Sequence, residues 1–198
     1  AVIAGKFLKK NKKTINFVNS SHGRDIKLIA DIEAEKLIIK HLKTYSDFPI
    51  LSEEHGKSGS LGEIFWVVDP LDGTANYTRD SPICCVSIAL VKKNNPILGI
   101  IYDFNNDDLY EGCSQSDAML NGKKISVSSI KTKSNGTLIT GLPVNTDYST
   151  SAVKKLISNF QEWKKVRMLG SAAMASAYIA SGKADLYSES GTNIWDVA

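Results

Sequence analysis

The chain has 198 residues, enough for one large domain or two small lobes, and its 42% hydrophobic and 23% charged content is that of an ordinary globular protein. A net charge of +3 is too small to argue for nucleic acid, and no apolar run reaches the roughly 18 residues that a bilayer crossing needs. Residues Ala1 to Phe7 lack the layout of a signal peptide, and three cysteines, two of them adjacent (Cys84, Cys85), give neither an even disulfide framework nor metal-binding spacing, so they read as reduced thiols of a cytoplasmic protein.

The basic run Lys9-Lys10-Asn11-Lys12-Lys13 reads as a solvated helix end, or else as a weak field that draws in anions. From Asp31 to about Lys43, Ile32, Ile38, Ile39 and Leu42 recur at helical spacing among Glu33, Glu35, Lys36 and Lys40, which predicts an amphipathic helix. Ser46 to Pro49 break it, and Ile50-Leu51 starts an extended piece leading into Ser52-Glu53-Glu54-His55-Gly56. Ile64 to Val68 is a buried strand running into Asp69-Pro70. Cys84–Val91 and Ile97–Tyr102 form a hairpin about a turn at Asn94-Asn95-Pro96. Asp107–Tyr110 and Lys124–Val127 suggest two more strands, with Asn121-Gly122 as a turn between them. Beyond Ser128–Ser134 the pattern changes to alternating elements: strand Thr137–Thr140, helix Ser151–Phe160, strand Lys165–Met168, an Ala-rich helix Ser171–Ala180 and strand Ala184–Tyr187. An antiparallel meander followed by alternation predicts an α+β or α/β arrangement, with an N-terminal lobe over 1–130 and an incomplete C-terminal lobe over 131–198. The sequence has no initiator Met and stops at Trp195-Asp196-Val197-Ala198 without a helix stop signal, so the whole protein is expected to continue.

Asp69-Pro70-Leu71-Asp72-Gly73-Thr74 follows the buried strand directly. Pro70 fixes its own φ and biases Asp69 towards an extended conformation, so the turn brings two carboxylates into one space. Gly73 allows close backbone approach, and a helix starting after Thr74 would aim its free N–H groups there, which suits a phosphate. Mg²⁺ takes hard oxygen ligands at about 2.0–2.1 Å, one or two of them carboxylates. Asp69 suits a bridging position between two such ions, the Leu71 carbonyl could add to it, and Asp72 faces the same site. An isolated Asp-Gly would be an ordinary surface turn; the whole hexapeptide behind a hydrophobic strand is far more specific.

The segment Trp66 to Tyr77 closely resembles the signature of the inositol monophosphatase family. Trp195-Asp196-Val197-Ala198 resembles the start of that family's second signature, and Ser52-Glu53-Glu54 stands where the family carries its first metal-ligand Glu. The resemblance spans nearly the whole chain from Asp25 in motif order. It implies a layered α-β-α-β-α sandwich and hydrolysis of a small-molecule phosphate monoester with two or three Mg²⁺ ions. By the same resemblance Glu53, Asp69, the Leu71 carbonyl, Asp72 and Asp196 are metal ligands. Gly73 and Thr74 give backbone donors to phosphate, and Thr74 pairs with Asp31 to hold and deprotonate the attacking water, with Glu53 assisting. Gly170-Ser171-Ala172 resembles a substrate-contacting segment, and Glu189 matches a residue that touches a ring hydroxyl.

Local readings stand beside these. Asp31 is also a first-turn helix acid, Ser171 a good N-cap, Glu53 and Glu189 loop acids, His55 a loop residue and Trp195 core packing. Leu28 replaces a hydroxyl residue common in the family before the helix, and Gln115-Ser116-Asp117-Ala118 replaces a Gly-x-Gly-Ala turn read as peripheral. Inositol 1-phosphate-type substrates rank first, adenosine 3′,5′-bisphosphate next and fructose 1,6-bisphosphate third. A silent relative that binds phosphorylated ligands or protein partners is the rival from another class. The family also implies a homodimer and inhibition by lithium.

Overall fold

The computed structural model describes residues 1–22, 25–142 and 146–198, with the side chains of 21, 22 and 25–27 left out; the His22 side chain therefore lies outside it. In chain order the elements are α1 (Val2–Ile15), β1 (Val18–His22), β2 (Asp25–Leu28), α2 (Ile29–Tyr45), β3 (Ile50–Ser52), β4 (Gly56–Lys57), β5 (Ile64–Asp72), α3 (Thr74–Thr78), β6 (Cys85–Lys92) and β7 (Asn95–Asp103). There follow β8 (Asp108–Cys113), β9 (Ser116–Leu120), β10 (Lys123–Lys124), β11 (Thr137–Thr140), α4 (Thr150–Gln161), β12 (Lys165–Met168), α5 (Ala172–Ala180), β13 (Leu186–Tyr187) and α6 (Ile194–Val197).

An eight-stranded sheet in the order β10-β9-β8-β7-β6-β5-β3-β4 carries the first half of the chain. It is antiparallel except where β3 runs parallel to β5. A smaller sheet, β12-β11-β13, is wholly parallel. Helices α1 and α2 pack together and cover one face of the large sheet; α5 meets β5, β6, β7 and β13, and so lies between the sheets. Helix α4 lines a cavity with Leu138 of β11. The layers run α, β, α, β, α, as expected.

The main core joins Leu8 of α1, Leu28, Ala34 and Ile38 at and within α2, and Val68, Leu71 and Val86 of the sheet. Leu28, in place of a hydroxyl residue, is completely buried in that core. Full burial of a leucine side chain stabilises by roughly 2 kcal/mol.

Three expectations need correction. The hairpin turn lies at Lys93 and Asn94, whose φ values of 50° and 63° give the left-handed pair a two-residue hairpin needs, while Pro96 sits inside β7 opposite Val91, beside a bulge. Segment 115–118 is not a peripheral turn: Ser116–Ala118 belong to β9, paired with β8. The strand proposed at Lys124–Val127 ends at Lys124: Ile125 N–H still donates to the Ala118 carbonyl at 2.9 Å, but the chain then leaves β9 and Val127 is exposed. The basic run at Lys9–Lys13 falls in the C-terminal half of α1.

Candidate functional site

The turn after β5 is shaped by its own residues. Asp69 is buried and accepts at Oδ1 from the Leu71 N–H at 3.0 Å, closing a local loop across Pro70. Pairing with β6 skips from Asp69–Ser87 to Asp72–Cys85, so the strand bulges at the motif. Gly73 has φ +88°, and a Cβ there would come within 2.7 Å of the Ile83 carbonyl, so two separate constraints require glycine. Thr74 opens α3; its Oγ1, with one proton to give, has the Leu71 carbonyl at 3.0 Å and Asp31 Oδ1 at 3.4 Å as acceptors. The expected Asp31–Thr74 pair is therefore in contact. Asp31, buried in the first turn of α2, also accepts at Oδ2 from the Leu28 N–H at 2.6 Å, which bears out its reading as a helix-start acid.

Asp72 faces the start of α5. It accepts from the Ser171 hydroxyl, from Ala173 N–H at 2.7 Å and from Ala172 N–H at 3.3 Å. Ser171 in turn caps α5 by accepting from Met174 N–H at 3.2 Å. Ser171 and Ala172 thus hold the Asp72 carboxylate. Asn76, unremarked as a fastener, donates to the carbonyls of Ile83 and Leu169 at 2.8 and 2.7 Å. It ties α3 to the approach to Gly170, where φ is +70°.

The remaining acids come from farther away. Glu53 lies in the loop after β3, its N–H donating to the Val68 carbonyl at 3.2 Å. Asp196, in α6, accepts from Asn193 N–H at 2.6 Å, a position in its helix like that of Asp31. Trp195 packs against Leu51, Phe65 and Val67 as expected, although its buried Nε1 has no partner among the described residues. Glu189 accepts from the Tyr187 hydroxyl at 3.1 Å and closes over Gly141, where any Cβ would overlap its carboxylate. It borders a cavity of about 460 Å³ lined also by Thr140, Gly141, Ser188 and Ser190.

Burial pushes the Glu53 carboxyl up to about 8, with the Asp31 charge the next cause. Asp69 is raised well above the usual range by burial and by Glu53, with which it shares a hydrogen bond. Burial raises Asp72 to about 6 against the opposing hydrogen bonds from Ser171 and Ala173, and Asp196 is raised by burial. The charge of Asp196 acts on all of Glu53, Asp69, Asp72 and Glu189. Among the described residues no three acidic, His or Cys side chains form a ready-made cage, because several carboxylate oxygens are turned to backbone and hydroxyl donors. The acids act on one another by charge, and Glu53 and Asp69 also share a hydrogen bond.

The chain matches the model of the inositol monophosphatase family over residues 1–198. It belongs to that family. Its family relatives include Nus factor SuhB of Xylella fastidiosa, 41% identical over 170 residues that make up 85% of this chain and 62% of that protein. Inositol-1-monophosphatase of Synechocystis is 34% identical over 183 residues, covering 88% of this chain and again 62% of the relative. The chain thus spans about 62% of the length of these curated relatives. Among solved structures, suhB of Bartonella henselae superposes with a TM-score of 0.89 at 31% identity, over all of this chain and 78% of that one. The inositol monophosphatase of Anabaena gives 0.85 at 32%, over all of this chain and 74% of that one. The layered family fold therefore holds for this chain.

Two things were missed in the sequence. Glu35 was grouped with the polar face of its helix, yet it is fully buried and holds the loop of Glu53. Asn76 was read as part of a motif and not as a bridge. An acid four residues after Asp31, on the same helical face, was the available signal for Glu35.

Proposed function

We propose that this chain is the larger part of a Mg²⁺-dependent phosphatase acting on a small phosphate monoester, of the inositol 1-phosphate type first. One observation carries the reading: Glu53, Asp69, Asp72 and Asp196, from three separated parts of the chain, lie close enough that the Asp196 charge acts on the other three and Glu53 and Asp72 act on Asp69, beside the Asp31–Thr74 pair. Hard oxygen donors whose charges repel in a buried place fit divalent cations, which offset that repulsion. Glu53, Asp69, Asp72, Asp196 and the Leu71 carbonyl would hold them; that carbonyl retains a second lone pair beside its bond from Thr74. When bound, Mg²⁺ supplies charge neutralisation at the phosphate and a lowered pKa for water.

The chain's own residues do the rest. With its one proton turned from the Leu71 carbonyl to Asp31 Oδ1, the Thr74 hydroxyl can accept a hydrogen bond from the attacking water, and Asp31 takes up the proton through it. Glu53 orients the same water from the opposite loop. Backbone N–H groups of Gly73 and Thr74, at the open start of α3, are offered to phosphate oxygens. Glu189 and the cavity it borders, together with Gly170, Ser171 and Ala172, shape the place for the alcohol. A homodimer, inhibition by lithium and a cytoplasmic location belong to the same proposal; among the described residues no helix is long and apolar enough to cross a membrane.

Phosphate release from inositol 1-phosphate, adenosine 3′,5′-bisphosphate and fructose 1,6-bisphosphate, with and without Mg²⁺, tests this reading on the full-length protein. Mg²⁺-dependent release from the first is expected. The name Nus factor carried by relatives such as that of Xylella fastidiosa favours a second reading, in which the protein serves as an assembly partner. No release from any of the three would overturn the hydrolase and leave that one standing.

A further inference from the structure

Glu35 is a fully buried acid that the chemistry above does not use. It sits on α2, four residues after Asp31, so both side chains leave the same face of the helix. Its Oε1 accepts from the N–H groups of Glu54 at 3.1 Å and His55 at 3.3 Å, and its Oε2 meets His55 Nδ1. The His55 side chain is half-exposed and covers the carboxylate from outside. Among the described residues no Lys or Arg pairs with Glu35. A buried carboxylate without such a cation is costly unless donors surround it. Among the described residues every donor that meets it comes from the two residues after Glu53.

The same loop is held from the opposite side by the bond from Glu53 N–H to Val68, the residue before Asp69. Three successive backbone N–H groups are thus fixed, one to β5 and two to Glu35. We propose that Glu35 is a positioning residue: its carboxylate fixes the 53–55 backbone and so aims the Glu53 side chain at Asp69. This rests on the reading of Glu53 as a Mg²⁺ ligand. Partners that orient a ligand in this way typically change metal affinity by about 10–100-fold when lost.

The test is Mg²⁺ binding by calorimetry, together with amide hydrogen exchange, on the full-length protein. Glu35→Gln keeps an oxygen for both N–H groups and an amide to donate to a neutral His55 ring, and should bind Mg²⁺ within about threefold of wild type. Glu35→Ala should weaken binding by about tenfold or more and speed exchange at Glu54 and His55, with β5 to β7 still protected. Wild-type affinity in Glu35→Ala, or equal damage in both variants, overturns the proposal. Should Glu35→Ala not fold, Glu35→Asp replaces it, since losing one methylene withdraws the carboxylate from the loop; unchanged affinity there is equally fatal. A wild-type protein that takes up no Mg²⁺ overturns the functional reading, while exchange at Glu54 and His55 still reads whether Glu35 holds the loop.

Discussion

Two short segments bring acids to the site, and they are built in opposite ways. The turn Asp69–Thr74 carries its own instructions: Pro70, a positive-φ glycine, and bonds from Leu71 N–H to Asp69 and from Thr74 to the Leu71 carbonyl. The loop 53–55 has two local devices, Gly56 with φ +68° and the pairing of β4 to β3, but its own backbone N–H groups are held by Val68 and Glu35 from elsewhere in the fold. A self-contained turn can be read from six residues. A loop held by remote partners cannot, although both deliver a carboxylate.

Breaking the self-contained turn should have the largest effects. Asp72→Asn keeps an oxygen to accept from α5 but removes a charge from the carboxylate set. Since partners of ligands cost 10–100-fold, removing a ligand should lower phosphate release by more than about 100-fold. Far-UV circular dichroism should remain that of wild type. Retained turnover would remove Asp72 from the proposed set. Gly73→Ala should lower stability by about 3 kcal/mol, combining left-handed strain with overlap on the Ile83 carbonyl. For a chain of this size that is a fall in Tm of roughly 6–12 °C.

The same contrast explains what the sequence made legible. Strands β11 and β12 were anticipated residue for residue, and α2, α4 and α5 within two residues at either end, because periodicity and caps are local signals. Strand β9 was lost because Ser116 and Asp117 look like turn residues, and only pairing with β8 makes them a strand. The Asp69–Thr74 turn was visible from chemistry alone. Glu53 and Asp196 came only through the family resemblance, since nothing near them in sequence announces burial. Glu35 stayed hidden because Glu33, Lys36 and Lys40 around it form a solvated face, and its burial depends on a loop some twenty residues later.

The acids of the two segments also titrate together. Glu53 is lifted to about 8 and Asp72 to about 6, chiefly by burial, so folding favours their protonated forms. Their folded values lie above the unfolded ones of 4.5 and 3.8. Without metal, stability is therefore highest below about pH 4 as far as these groups are concerned, and is lost as pH rises towards 8. Thermal unfolding in a chelator should show Tm falling by several degrees between pH 5.5 and 8.5, and Mg²⁺ should remove most of that fall. A profile that is flat in chelator, or unchanged by Mg²⁺, would detach the two segments from a common site.

The smallest effect sharpens the comparison most. Gly56→Ala imposes the same left-handed backbone as Gly73→Ala, but nothing stands within 4 Å of the added Cβ. Only the conformational cost remains, about 1 kcal/mol, or roughly 2–4 °C in Tm. Because Glu35 and Val68 grip the backbone at residues 53–55, ahead of Gly56, the substitution should leave Mg²⁺ affinity within about twofold of wild type. A loop whose shape arose from its own turn would respond otherwise: Gly56→Ala would displace Glu53 and weaken Mg²⁺ binding as much as Glu35→Ala does. Calorimetry on the two variants side by side decides whether the loop is shaped from within or held from α2.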